Sequence, residues 1–343
     1  MSLSNTLLRD ALRMCPNLIV IPSDHLFYQE LSVKLKRFLE LKIPIIEQYS
    51  IDEWFGDLNG LVKDEDTLEF ITELRDEILK EFDLPITIAA SESKWIAKLM
   101  TDKIKPYGAF VLERGEVDEM TRGYDVNDFP GVGRAISKKL DTHKIKTLGE
   151  LREYPNILYA YGKTGRVLYH RIRGTDKERV IPYSQRRGIG ISRNFKAILD
   201  RGEIYRRVVI LARYLSYTIT KLSLNPTTFY FKIRYEYGAK ASQSITINRL
   251  FNENFLIALA KNMIHKLDNH INYKIHYIAI SSSNFADSDN RKTFSILEYE
   301  RDLKFAALNQ KLIKIRDKYG VDAIRYGSEG GGYLINQQVK KIS

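Results

Sequence analysis

Residues 129–149 read Phe-Pro-Gly-Val-Gly-Arg-Ala-Ile-Ser-Lys-Lys-Leu-Asp-Thr-His-Lys-Ile-Lys-Thr-Leu-Gly. Gly131 and Gly133 flank Val132, an amphipathic segment follows over 134–140, and a second turn follows over 143–149. This is a helix–hairpin–helix pattern. Glycine lets backbone approach a phosphate closely, and the N–H groups that open the next helix form an anion site. Contacts of that kind position a nucleic acid without reading its bases.

Working outward, residues 121–179 hold short helical segments broken by Gly and Pro, with no convincing strand. They read as a small all-helical domain, followed by a basic, Pro-containing linker at 180–187. Toward the N-terminus the periods alternate. Helical spacing over 23–41, 64–82 and 91–103 is interleaved with strand-like runs at 43–49, 54–58, 84–90 and 109–112, which predicts an α+β layer. Toward the C-terminus, strands at 190–195, 227–237, 243–247 and 275–281 and helices at 203–222 and 253–267 give the order strand–helix–strand–strand–helix–strand, a split βαβ plan. A basic amphipathic helix is expected at 303–319 and a mobile glycine-rich stretch at 327–332.

The charge is unevenly shared. The 343 residues carry 54 basic and 43 acidic side chains, net +11. Residues 1–112 hold 13 basic and 19 acidic, residues 113–184 hold 14 and 11, and residues 185–343 hold 27 and 13. An acidic head on a strongly basic remainder points to a polyanionic partner held by the basic part. One cysteine, Cys15, excludes an internal disulfide and disfavours a Cys-based metal site. No apolar run reaches about 18 residues, and residues 1–16 lack a signal-peptide plan. A cytoplasmic protein without membrane contact is expected.

Several residues can carry chemistry. In Ser50-Ile51-Asp52-Glu53 two carboxylates lie where a strand pair turns. Strand alternation would send them to opposite faces, but a turn can bring both to one hard cation such as Mg²⁺. Lys105, in Lys105-Pro106-Tyr107-Gly108, sits after a helix and before a strand, suited either to a plain helix stop or to a nucleotide phosphate. Ser192 and Arg193 lie in an alternating strand and could meet a phosphate or simply mark an exposed edge. The six histidines are scattered, and neither a P-loop nor a Rossmann glycine fingerprint occurs.

Taken in order, these motifs resemble the Y-family (translesion) DNA polymerases, nearest the UmuC/ImpB/MucB/SamB branch. The resemblance runs over about residues 7–326. It rests on Ser50-Ile51-Asp52-Glu53, Ala97-Lys98 with Lys105-Pro106-Tyr107-Gly108, Pro130-Gly131-Val132-Gly133, Tyr161-Gly162-Lys163-Thr164-Gly165, Arg193-Asn194-Phe195 and the tail 318–324. It implies an α+β multidomain fold: an incomplete polymerase palm at 4–112 with a mixed sheet and helices, an all-helical thumb with the helix–hairpin–helix at 113–184, a split βαβ little-finger domain at 185–299, and a C-terminal helix and tail at 300–343. It further implies DNA synthesis past damaged bases with two Mg²⁺ ions. Asp52 and Glu53 would be the catalytic metal ligands, and Lys105 would hold the triphosphate of a dNTP. Gly131, Val132, Gly133, Ser192 and Arg193 would hold primer–template DNA. Nucleoid association in a bacterium follows from the same resemblance.

The departures carry expectations too. The family's first strand, with its metal-binding Asp, and its fingers are not matched, and Met1-Ser2-Leu3 reads as a cloning scar. The chain is thus expected to be an N-terminally truncated fragment that binds DNA without polymerising, although its parent would. A sliding-clamp peptide is expected at 293–299, where the usual Gln is missing. Two rival readings stay open: a non-catalytic DNA-binding module built from the helix–hairpin–helix and a basic α/β domain, and an RNA-binding α/β protein.

Overall fold

A computed structural model describes residues 6–183, 186–286 and 297–330. The chain divides between residues 184 and 185 into two compact units, each considered by itself below. Among the described residues no helix is long and apolar enough to cross a membrane.

The N-terminal unit contains α1 (Leu8–Met14), α2 (His25–Lys42), β1 (Ile46–Gln48), β2 (Trp54–Gly56), α3 (Thr67–Phe82), β3 (Ile88–Ser91), α4 (Lys94–Lys103) and β4 (Ala109–Leu112). Five short helices follow: α5 (Val117–Met120), α6 (Arg134–Thr142), α7 (Leu148–Glu153), α8 (Pro155–Tyr159) and α9 (Gly162–Ile172). Asp24 caps α2 by accepting from the Phe27 N–H at 3.3 Å, which satisfies an orphan donor of the first turn. Asp83, left-handed at φ 51°, ends α3. Strands β1 and β2 pair antiparallel, with Glu47 opposite Phe55, and β3 and β4 pair parallel, with Ile88 opposite Ala109. The sequence reading did not contain α1. It began β3 too early, because Pro85 cannot donate to a ladder.

Two cores hold this unit. Leu35, Leu39, Ile43, Ile46, Leu74 and Ile78 join α2, α3 and β1. Trp95, Ile96, Leu99 and Met100 of α4 pack with Phe129, Leu140, Leu151 and Ile172, so α4 and the short helices share one apolar interior. Residues 176–181 are tied to that body rather than free. Asp176 accepts from Ser93 at 2.5 Å, the Arg179 carbonyl accepts from Lys94 at 3.1 Å, and the Ile181 N–H donates to Glu47 at 2.9 Å.

The C-terminal unit contains β5 (Gly188–Ile198), α10 (Arg201–Lys221), β6 (Pro226–Tyr235), β7 (Lys240–Thr246), α11 (Glu253–Leu267), β8 (Ile275–Phe285) and α12 (Tyr299–Tyr319). Its strands form one antiparallel sheet in the order β5-β8-β6-β7. Phe229, Phe231, Ile233, Ile278 and Ile280 face α10 and α11 and are fully buried with Val208, Leu256 and Ala260. The order strand–helix–strand–strand–helix–strand matches the periodicity reading.

The end of the unit departs from it. Of the glycine-rich stretch expected to be mobile, residues 331–332 lie outside the described residues, whereas Gly327–Glu329 form a 3-10 turn and Glu329 is buried against α10. Of the expected clamp peptide, residues 293–296 lie outside the described residues. Leu297 is exposed, and Glu298 accepts from Arg249 at 2.8 Å.

Candidate active site and nucleic-acid interface

The turn between β1 and β2 closes when the Tyr49 and Ser50 N–H groups both donate to the Glu53 carbonyl, at 2.9 and 3.1 Å. That closure defeats strand alternation and swings both acids to one side. Ser50 Oγ donates to Asp52 Oδ1 at 2.6 Å and lies 3.4 Å from Glu53 Oε2, so one hydroxyl sits between two carboxylates. From α4, the Lys98 ammonium bonds Glu53 Oε1 and stands 5.2 Å from the Tyr49 ring centroid. One turn earlier on the same helix face, Lys94 bonds Glu47 at 2.8 Å. Tyr49, Phe55 and Trp95 meet edge to face with centroids 5.4–5.8 Å apart, fixing the hairpin to α4.

The Lys105 loop stands beside this turn. Lys105 Nζ donates to Asp102 at 2.7 Å, and its ammonium is held above the usual lysine range, chiefly by that bond. Glu53 and Asp52 add smaller pulls in the same direction. The loop has little choice of residue. A Cβ on Gly108 would lie 2.4 Å from the Ile104 carbonyl oxygen. Tyr107, at φ 56°, is held by Arg75 over its ring at 4.2 Å and by its hydroxyl bond to Asp76 at 2.7 Å.

In the hairpin, Gly131 adopts φ 106°, a backbone region that side chains rarely enter, and the Val132 N–H donates to the Phe129 carbonyl at 3.0 Å. Val132 packs on the apolar interior, while Gly131 and Gly133 are exposed. Gly133 is the N-cap of α6 and offers no side-chain acceptor to the first turn. Its φ of −88° suits any residue, and a Cβ there would meet nothing within 4 Å. Packing therefore does not require glycine at 133, whereas close approach of a ligand to the helix start would. Changing Gly133→Ala should move stability by no more than about 1 kcal/mol, since only the capping preference changes. The same change should weaken duplex DNA binding about tenfold, the worth of one hydrogen bond to a charged group. Thermal melts and fluorescence anisotropy separate the two effects.

The C-terminal unit presents a second surface. Alternation places Gly190, Ser192, Asn194, Tyr230, Lys232, Arg234, Lys240, Ser242, Ser244, Tyr277, Ala279 and Ser281 on the sheet face away from α10 and α11. Cross-strand rows run Gly190–Ser281–Tyr230–Ser244, then Ser192–Ala279–Lys232–Ser242, then Asn194–Tyr277–Arg234–Lys240. Arg234 stacks on Tyr277 at 4.5 Å. No Asp or Glu occurs in any of the four strands. A small, hydroxylated, basic face free of carboxylates is suited to a phosphate backbone.

The structure brings Asp52 and Glu53 together on the Ser50 hydroxyl, pairs Lys105 with Asp102, and groups Gly131, Val132 and Gly133 in one hairpin. It does not bring Ser192 and Arg193 to one face. Ser192 lies on the open face, whereas Arg193 lies on the α10 side of β5, with Nη1 donating back to the Ser192 carbonyl at 2.9 Å. Lys98 entered the sequence reading only as part of a family segment, and Lys232, Arg234 and Lys240 did not enter it. The alternation Thr228-Phe229-Tyr230-Phe231-Lys232-Ile233-Arg234 was the signal that exposes the last group.

Comparison with known proteins follows the same order along the chain. The impB/mucB/samB family profile matches residues 4–102, the DNA polymerase-iota thumb domain matches 127–176, and the impB/mucB/samB family C-terminal domain matches 186–294. DNA polymerase IV of Clostridium kluyveri is 28% identical over 340 residues, covering 94% of this chain and 83% of that protein. DNA polymerase IV of Staphylococcus epidermidis is 26% identical over 291 residues, covering 83% and 82%. That of Shewanella halifaxensis is 30% identical over 184 residues, about half of each chain at 53% and 51%. Among solved structures, a Y-family DNA polymerase chimera of Dbh and Dpo4 superposes with a TM-score of 0.70 at 20% identity, covering 81% of both chains. A Dbh ternary complex does so with a TM-score of 0.53 at 19% identity, covering 82% and 84%. At those identities the structural likeness is one of fold, a mixed α+β architecture. With the family matches running from the acidic turn through the hairpin to the sheet, the chain belongs to the Y-family of DNA polymerases, the enzymes of translesion DNA synthesis.

Proposed function

We propose that the β1–β2 turn is the nucleotidyl-transfer site of this polymerase, acting on a dNTP and a primer–template. Residues 4–112 would be palm, 113–184 thumb, 185–299 little finger and 300–343 a C-terminal helix and tail. The observation that carries the reading is the convergence of Asp52 and Glu53 on the Ser50 hydroxyl with Lys98 and Lys105 close by. Two carboxylates aimed at DNA would repel it unless a cation intervened.

The donor set fits one hard divalent cation, Mg²⁺ by preference. It offers carboxylate oxygens and no soft ligand, and leaves the other positions to water and triphosphate oxygens. Asp52 and Glu53 are two of the carboxylates that a two-ion site would share. Bound there, Mg²⁺ supplies charge stabilisation at the transferring phosphate and a more acidic primer hydroxyl. The chain's own residues do the rest. Asp52 and Glu53 hold the cation, Ser50 keeps Asp52 aligned, and Lys105 exchanges Asp102 for a triphosphate oxygen. The Gly131–Gly133 hairpin and the open sheet face, Ser192 included, hold the duplex backbone.

Asp52→Asn should weaken Mg²⁺-dependent binding of a fluorescent dNTP about tenfold or more, the scale of losing one charged ligand. Unchanged affinity would place the nucleotide elsewhere. The chain is expected to bind primer–template without extending it, and robust Mg²⁺-dependent primer extension overturns that expectation.

A further inference from the structure

Lys98 is the feature of the site that the roles above leave without a task. Its side chain is 17% exposed, and its ammonium is committed to Glu53, a ligand of the proposed cation site. Glu53 is 40% exposed and adjoins Asp52, so the carboxylate that Lys98 neutralises is the one open to an arriving ligand. The pairing has a built-in comparison one helical turn away. Lys94 and Glu47 form a like pair on the same face of α4, but Glu47 also accepts the Ile181 N–H and is only 20% exposed. That second pair fastens the hairpin and the 176–181 segment to α4. Lys98 is not needed to repeat the work, because Tyr49, Phe55 and Trp95 already lock the hairpin there.

We infer that Lys98 is a positioning and selecting residue: as the resident counter-cation of Glu53, it makes the turn take a divalent cation together with a triphosphate rather than as a bare ion. The inference rests on the nucleotide-site reading above. A bare cation must compete with the ammonium for Glu53 and meets a carboxylate pair already reduced by one charge. A cation arriving on a triphosphate brings anionic oxygens that can take over the Lys98 donors as Glu53 turns away. The exchange then leaves neither the ammonium nor the carboxylate unpaired, which is the costly outcome in a half-buried site.

The test uses the full chain, Mn²⁺ as probe and the Lys98→Gln variant, with folding checked by circular dichroism. Titration of Mn²⁺ alone, followed by electron paramagnetic resonance, should show binding roughly tenfold tighter than wild type, the effect of one unit charge on a divalent ion at close range through water. Titration of a fluorescent dATP analogue at saturating Mn²⁺ should show binding roughly tenfold weaker, one lost bond to a charged group. Lys94→Gln should alter neither. A shift of both affinities in the same direction, or of neither, overturns the role of Lys98. A wild-type chain that binds Mn²⁺ but no triphosphate overturns the nucleotide reading itself, a result distinguishable from the first.

Discussion

Replacing Arg213 by alanine should cost the C-terminal unit about 3–5 kcal/mol of unfolding free energy, the scale of removing one partner from a buried ion pair. Arg213, on α10, is 1% exposed and spends its guanidinium entirely on the segment that follows α12. It donates to both carboxylate oxygens of Glu329 at 2.8 Å, to Asp322 at 2.8 Å and to the Val321 carbonyl at 2.6 Å. Without it, Glu329 is left buried with its charge unneutralised, keeping only the Tyr326 N–H as donor at 3.1 Å. Asp322 keeps only its Tyr214 hydroxyl donor at 2.8 Å and its more distant neighbour Arg325. Glu329→Gln, which keeps shape and bonding but removes charge, should cost less. The double variant Arg213→Ala/Glu329→Ala should cost less than the two alanine changes added, because the second removes the orphan made by the first. Urea denaturation followed by circular dichroism measures all of these, and a loss below 1 kcal/mol for Arg213→Ala would show that the clamp is not structural. The same clamp sets an acid limit. Burial alone would raise the Asp322 carboxyl, but its bonds from Arg213 and Tyr214 win and hold it below the usual range. A lowered folded pKa stabilises above the unfolded value, about 3.9, and that contribution is lost as pH falls through the folded value. Softening of this unit is therefore expected below about pH 4.

The second large effect concerns the sheet. Reversing three charges with Lys232→Glu, Arg234→Glu and Lys240→Glu should weaken primer–template binding on the order of 100-fold at 0.1 M salt. It should also flatten the dependence of log affinity on log salt by roughly three, about 0.9 for each phosphate no longer neutralised. If the whole chain neutralises about six phosphates, the wild-type slope lies near −5. The fold should tolerate the changes, because all three side chains lie on the face away from α10 and α11. The nearest packing partner is Tyr277, under Arg234. Anisotropy titrations across a salt series give both numbers. Unchanged affinity and slope would remove this face from the interface.

Most elements were legible because their period survives burial on one side only. The helices at α2, α3, α10 and α11 and the strands at β5, β6 and β8 each carry an apolar stripe against a single core. What escaped notice depends on distant residues. Lys98 is one lysine among many until α4 sets it on Glu53, 45 positions away. Glu329 looks like part of a glycine-rich linker until Arg213, 116 positions earlier, claims it. Ser192 and Arg193, both expected at DNA, lie on opposite faces of β5, as the alternation of neighbours in a strand requires.

Helix α12 inverts the usual relation between polarity and position. Asp302, Asn309 and Arg316, spaced seven apart, are its buried residues, whereas Leu303, Leu308 and Ile315 are 40–45% exposed. The inward stripe is held by charge: Asp302 meets Arg249 at 2.7 and 2.9 Å, and Arg316 meets Glu253 at 2.6 and 3.0 Å. In a chain diverging under selection, tolerance along this helix would therefore run backwards. Leu303 and Leu308 could drift to polar residues with little penalty, while an Asp302→Asn or Arg316→Lys exchange, mild in a substitution table, would strike the part that cannot give.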